Sequence, residues 1–490
     1  MKTRGLFLSA LMMGAVMAGC SNEDVLNDVQ VDKKNVQSES YMAINVVAPA
    51  STGSRATEEG FAVGSENEVN DLVLVFFDSY GNFYDSQERT FSWNSPESTT
   101  VGVEMESNVV VVFNDKAGKP ASFVALLNTG KSAEYFNGKS LDDIKADTIN
   151  YCKTSNDVDY FVMSNSVFGN EGIQVAAPIT DDMICSTKED AEANPAIAYV
   201  ERVAAKLEAE VADELKVEGK EVTLDGKTVT LTPTITGMKF VHTASESYLL
   251  KNIDGFTTTA PFTDWNDAAN FRSYWANSYT QATYNTFAYE DVVQGESLIE
   301  YANENTSSTT TKLLVTATIS AKEDGEAVDI YKYKGYYYTE EGLKTHIASI
   351  LKGKSLEYTI NETIGSNWAE YLTITHPEGV EQWEGVIGLS TDITVSEDVK
   401  AEIAKLEKVL WWNDGKCYFY VPVEHFGGKV GVVRNHWYNL TINSIKGLGT
   451  PVADESEEIV PGKIEEETYF VAAQVQILKW KMVSQSVSLE

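Results

Sequence analysis

Apolar positions fall in short runs along this chain. LVLVFF (Leu72 to Phe77), NVVVVFND from Asn108 and SFVALLNTG from Ser122 are continuous apolar stretches bounded by Asn, Asp, Ser and Gly, the pattern of strands covered on both faces. In DLVLVFFDSYGNFYDS the first strand turns through Asp78 to Asn82 and returns. KLLVTATISA, DIYKYKGYYYT, KCYFYVPVEHF and HWYNLTINSI repeat the theme from residue 312 onward. Such β-branched and aromatic runs, separated by turn residues, predict a mostly β chain of two antiparallel β-sandwich domains with a few short covering helices.

Helical spacing occurs in two places. TVSEDVKAEIAKLEKVL offers Thr394 and Glu397 as a capping box, with Val399, Ile403, Leu406 and Leu410 on one face. TEEGLKTHIASILKG aligns Leu343, Ile347 and Ile350 and stops at Gly353. YVERVAAKLEAEVADELKV fits a helix by spacing and a strand by its neighbours. A polar cluster at residues 243–250 predicts a boundary between domains 56–245 and 246–490.

The segment YMAINVVAP has strict alternation, with Met42, Ile44 and Val46 on one face, Ala43, Asn45 and Val47 on the other, and Pro49 as its end. ASTGSRATEEG follows, rich in small polar residues and glycine, the composition of an exposed loop that a protease can nick. Arg55 is the only basic residue between Lys34 and Arg89, so an arginine-specific protease meets one bond here, Arg55 to Ala56. A surface arginine in an ordinary loop is the plainer reading. Cutting that bond turns an intramolecular strand into a peptide that a competing strand can replace. Refilling such a groove with about five apolar side chains, at roughly 1.5 to 3 kcal/mol each, is worth on the order of 8 to 15 kcal/mol before ordering costs. A head-to-tail contact of this kind does not close on itself and so builds a filament.

The donor is expected at a chain end. In TYFVAAQVQILKWKMVSQSVSLE, residues 468–490, Val475 and Ile477 lie in one alternation, Trp480 and Met482 in another, and Val487 and Leu489 near the terminus. A last strand packed in its own domain accounts for the same pattern.

Net charge is −35, from 73 acidic and 38 basic residues, with no basic patch, which excludes nucleic acid as a partner. Residues 1–55 hold five basic and five acidic residues, so the whole excess lies after Arg55. The first twenty residues combine Lys2 and Arg4, an apolar run from Leu6 to Ala18, and Ala18–Gly19 before Cys20. This is similar to a bacterial lipoprotein signal whose acylated cysteine becomes the new N-terminus, with cleavage at an ordinary secretory site as the alternative. Residues 21–40 are a polar tether, and SNED after Cys20 resembles a surface-export signal of anaerobic Gram-negative bacteria. Cys152, Cys185 and Cys417 form neither a CxxC pair nor a metal-ligand spacing with histidine, though a Cys152 to Cys185 bridge is compatible with export.

The block VVRNHWYNLTINSIKGLGTPV (Val432 to Val452), followed by an acidic linker and AAQVQILKWKMVSQSVSL, resembles the Mfa-type short-fimbria major subunits, type V pilins of anaerobic Gram-negative bacteria. YFVMSNSVF (Tyr160 to Phe168) and YVERVAAKL (Tyr199 to Leu207) are similar to motifs of that family's N-terminal domain. The resemblance implies a Greek-key, transthyretin-like sandwich fold and a precursor lipidated at Cys20 in the outer membrane. It further implies a signal peptide over 1–20, a propeptide over 21–55, and cleavage between Arg55 and Ala56 by an arginine-specific protease. The strand holding Met42, Ile44 and Val46 is then removed, and a neighbour's residues 468–490 take its place in a cell-surface fimbria. Its partners are identical subunits, fimbrial tip and anchor proteins, and host or bacterial surface ligands. A tip or accessory adhesin shares much of this pattern; the intact donor-like C-terminus favours the shaft.

No catalytic, metal or cofactor site is expected. His242, His346, His376, His425 and His436 show no paired spacing, and GxSxG, P-loop and GxGxxG units are missing. A lipid-anchored polysaccharide-binding protein is the main alternative, because the chain has nine Trp and 24 Tyr, densest in NFRSYWANSYTQATYNTFAYED and YKYKGYYYTEE. That reading keeps the anchor and needs no cut at Arg55.

Overall fold

The computed structural model describes residues 40–49, 66, 68–90, 103–113, 118–155, 158–167, 174–254, 276–321, 325–425, 429–459, 471–478 and 481–489. Residues Glu39–Glu490 form one unit. As expected, the chain is mostly β.

Strands β1 (Ser40–Pro49), β2 (Leu72–Phe77), β3 (Phe83–Glu88), β4 (Val103–Phe113), β5 (Ser122–Leu127), β6 (Met163–Asn165) and β7 (Ala196–Arg202) build an amino-terminal sheet. Its order is β3-β2-β5-β6-β7-β1-β4, with Ala177–Pro178 added beside β5. The continuous apolar runs of β2 and β5 serve two cores at once. Leu72, Leu74 and Phe76 face a cluster shared with Met42, Ile44, Val46, Val109 and Val111. Val73, Val75 and Phe77 point the other way, against Phe136 of α1 (Ala133–Phe136), Ile144 of α2 (Leu141–Ala146) and Leu249. Ser140 caps α2 in a box with Asp143, which fixes where that cover begins.

Two further sheets enclose the largest core. One has the order β10-β8-β13-β14-β15, from β8 (Ala204–Glu218), β10 (Ser297–Asn303), β13 (His436–Lys446), β14 (Val471–Leu478) and β15 (Lys481–Leu489). The other is an eleven-stranded sheet centred on β9 (Lys227–Val241), β11 (Lys312–Ser320) and β12 (Lys416–Pro422). Leu207, Tyr438, Leu440 and Ile442 from the first meet Leu231, Phe240, Leu313, Val315 and Phe419 from the second. A separate core forms around α4 (Glu340–Gly353) and α5 (Glu397–Ile403), with Trp368, Leu343, Ile347 and Val399 at its centre.

One expectation changes. The sheets are mixed, because β1 runs parallel to β7, β8 parallel to β13, and β13 parallel to β15. The segment Tyr199 to Val217 is strand, as β7 and β8, since ladders on both edges outweigh its helical spacing. Sheets and cores change over at Val203: residues 204–241 build the carboxy-terminal sheets, while Leu249 and Leu250 return to the amino-terminal core.

The helices come out shorter or differently capped. Ser396, not Thr394, caps α5, accepting from the Val399 amide at 3.4 Å, and the helix ends at Ile403. Leu410 lies in the strand Val409–Trp412. In α4 the cap is Thr339, Leu343 and Ile347 are buried as expected, and Leu351 joins them while Ile350 is half-buried.

Candidate functional site

The site is the slot that β1 fills. Alternation puts Met42, Ile44 and Val46 into the core with no exposed surface. On the opposite face Ala43 is 2% exposed, under α3 (Lys188–Ala193). The two walls have opposite polarity. β4 runs antiparallel to β1 from Ser40↔Phe113 to Ala48↔Met105, slipping at Pro49↔Val103, whereas β7 runs parallel from Ile44↔Ala196 to Val47↔Tyr199. At the entry, the amides and carbonyls of Tyr41 and Cys185 exchange two hydrogen bonds of 2.8 Å.

Within the ladders described, β4 pairs with β1 alone. Removing β1 therefore opens a slot between β4 and β7 and leaves β4 with no strand partner, its apolar residues Val109, Val111 and Phe113 facing the vacated core. A strand that enters must satisfy β4 antiparallel and β7 parallel, with apolar side chains at every second position.

Of the residues singled out in the sequence, Met42, Ile44 and Val46 lie together in this slot. Cys20, Arg55, Ala56 and Trp480 lie outside the described residues. Val475 and Ile477 are in β14, and Met482, Val487 and Leu489 in β15. Here these two strands pair with each other and with β13 of their own chain, Val475 opposite Leu440, Ile477 opposite Tyr438 and Val487 opposite Ile442. The structure thus brings the removed strand and the tail to different sheets.

Other candidates resolve into packing. His436 is fully buried with Nδ1 2.7 Å from the Arg434 carbonyl, and His425 Nδ1 lies 2.8 Å from the Tyr438 hydroxyl. Cys152, Cys185 and Cys417 are free thiols, so no Cys152 to Cys185 bridge forms. Burial pushes the Cys152 thiol up to about 11, away from reactivity. No metal-binding group of His, Cys, Asp and Glu occurs among the described residues. Of the tyrosine-rich stretches, residues 270–275 lie outside the described residues; Tyr289, Tyr331, Tyr333 and Tyr337 are under 9% exposed, Tyr279, Tyr284 and Tyr338 are half-buried, and Tyr336 is 67% exposed. Sequence reasoning missed Glu66, which is 1% exposed and accepts from Lys206 Nζ at 2.9 Å. A lone glutamate in a polar stretch carries no signal of burial.

Residues 411–486 match the C-terminal family model of fimbrillin, described as major fimbrial subunit protein type IV. In this C-terminal segment the chain is similar to fimbrillin. The segment includes β12, β13, β14 and most of β15, the strands that carry the tail. The matching model describes a fimbrial subunit. No curated protein is similar to the chain.

Among solved structures, a candidate cell adhesion protein from Parabacteroides distasonis is 13% identical, with 91% of this chain and 96% of that chain covered and a TM-score of 0.39. A fimbrial assembly protein from the same species is 11% identical over 58% of this chain and 82% of that one, with a TM-score of 0.32. The tip fimbrial protein Mfa3 from Porphyromonas gingivalis is 14% identical over 58% and 83%, with a TM-score of 0.27. Scores this low do not define a shared fold.

Proposed function

We propose that this protein is a fimbrial shaft subunit that polymerises by strand replacement after proteolysis. The precursor is lipidated at Cys20, cut between Arg55 and Ala56, and loses β1. A second copy's tail, within residues 468–490, then enters the slot between β4 and β7. The lipidated precursor sits in the outer membrane, an arginine-specific protease matures it, and tip and anchor proteins end the polymer. The transthyretin-like, Greek-key description of its sandwiches belongs to the same reading.

One observation carries this reading. An interior strand that alone joins β4 to its sheet is tied to the chain by the small-residue loop that contains Arg55. In a subunit that works as a monomer, such a strand gains nothing from a cuttable tether. Its three core side chains, Met42, Ile44 and Val46, are worth roughly 5 to 9 kcal/mol of burial. A nick therefore leaves β1 in place until a competing strand offers equal burial and pairing, so the plug protects the subunit until assembly.

N-terminal sequencing of depolymerised surface fibres tests this. The expected start is Ala56, and Arg55→Ala should leave a lipidated precursor that does not elongate. Fibres that retain Ser40–Pro49 would falsify the proposal. The polysaccharide-binding alternative keeps its leader and loses support from the burial of Tyr289, Tyr331, Tyr333 and Tyr337.

A further inference from the structure

The chain passes between its two sets of sheets at Val203, and charged side chains crowd that crossing in the interior. Lys251 Nζ lies 3.1 Å from a Glu201 carboxylate oxygen, with both side chains fully buried. Arg434 pairs with Glu304 at 3.3 Å, again without exposure on the arginine. Its guanidinium also donates to the backbone carbonyls of Tyr248 at 2.6 Å and Leu249 at 3.2 Å. Lys206 of β8 reaches the Glu66 carboxylate at 2.9 Å and lies 4.4 Å above the Trp437 ring. Arg202 Nε donates to the Glu66 carbonyl at 2.7 Å, and the Tyr301 hydroxyl donates to its carboxylate.

Two of these contacts span the crossing. Tyr248 and Leu249 belong to the segment that returns to the amino-terminal core, whereas Arg434 leads into β13. Glu66 precedes β2, whereas Lys206 and Tyr301 belong to the carboxy-terminal sheet. Buried ion pairs are poor sources of net stability, because desolvation of both charges offsets their attraction, but they admit only one geometry. An apolar seam would hold the halves together and let them slide.

We propose that this ionic cluster is an orientation lock that makes the two halves one rigid body. It rests on the polymer reading for its purpose. β7 forms one wall of the slot, continues through Val203 into β8, and β8 pairs with β13, on whose other edge the tail is laid. With the crossing locked, pull on an inserted tail passes from β7 into β8 and on to the next tail without flexing the subunit.

The test uses the uncleaved full chain as a monomer, so it does not depend on strand exchange. Probes placed at Tyr80 and Ile364, 89% and 67% exposed, report the distance distribution between the halves by single-molecule energy transfer. The double variant R434M/E304L removes the central pair without orphaning either charge. Its distribution should broaden by about twofold, and its single calorimetric transition should split in two. Should that variant not fold, Arg434→Lys retains the charge and loses the fork; it should broaden the distribution with circular dichroism unchanged. A single transition and an unaltered distribution in the folded variants would overturn the proposal.

Discussion

Asp225 illustrates how one side chain can tie distant parts of the chain. It opens the two-residue Asp225–Gly226 turn between Lys220–Leu224 and β9, with φ of +48° and +82°, the left-handed values that an Asp-Gly hairpin turn needs. Its carboxylate accepts from the Thr339 amide at 3.1 Å and the Thr339 hydroxyl at 2.6 Å, and so steadies the residue that caps α4. The carboxylate occupies the space where a Cβ on Gly342 would stand. Gly342→Ala should therefore expel it and cost about 1 to 2 kcal/mol in urea unfolding. If the shared contact is the cause, adding Asp225→Ala should cost little more. His242 gives a second residue-scale expectation. Burial, then the nearby Lys312 charge, pushes its imidazole down from the ordinary 6.5. The folded state thus binds fewer protons than the unfolded one, so the stability is present above that value and is lost as pH falls through the lowered one. The urea midpoint should drop as pH falls through 6.5 and below, and less so in His242→Asn, which tolerates the left-handed φ of +57°. The Asp-Gly turn can be read in the sequence; its dock on a threonine 114 positions later cannot, because no local pattern encodes it.

At the scale of elements, β4 is the exposed consequence of the plug design. All its described ladder bonds go to β1, so its protection against hydrogen exchange depends on a strand that is not covalently secured once the loop is cut. After a trypsin nick at Arg55, mild denaturant should free the amides of Val103–Phe113 while β2 and β5, paired with each other, keep theirs. Equal protection in all three would mean that β4 is held by packing alone, and the need for a replacement strand would weaken. Elements of this kind were readable to different degrees. β2 and β5 were plain because burial on both faces leaves an unbroken apolar run. The equally apolar run of β4 is buried on one face and half-buried on the other, so its expected cover on both faces is not complete. The first strand was plain because its two faces differ. The helix at Glu397 was over-extended: Leu406 and Leu410 keep helical spacing, yet the chain leaves the helix at Ile403 so that Val409–Trp412 can pair with Ile330–Lys332. Tertiary pairing decided there, as it did for β7 and β8, where the same residues satisfy either period. For the tail no face could be chosen, since two alternations coexist in its sequence.

At the scale of the whole molecule, the charge opposes the proposed assembly. All of the net −35 lies after Arg55, so two mature subunits approach with strong mutual repulsion. The core side of the slot is apolar, lined by Val, Leu, Ile, Phe, Met and Ala, its bonds are backbone bonds, and in the β1–β4 register the one acidic residue opposite β1 is Glu106, across from Val47. Repulsion should therefore slow the encounter and leave the final contact untouched. Screening shortens the reach of these fields from about 30 Å at 0.01 M salt to about 8 Å at 0.15 M. Elongation of cleaved subunits, followed by light scattering, should accelerate on the order of tenfold over that range. Dissociation of finished fibres should stay insensitive to salt, because burial and ladder bonds hold the inserted strand. Salt that instead dissolved the fibres would place ion pairs at the joint, and the apolar slot would not be where neighbouring subunits meet.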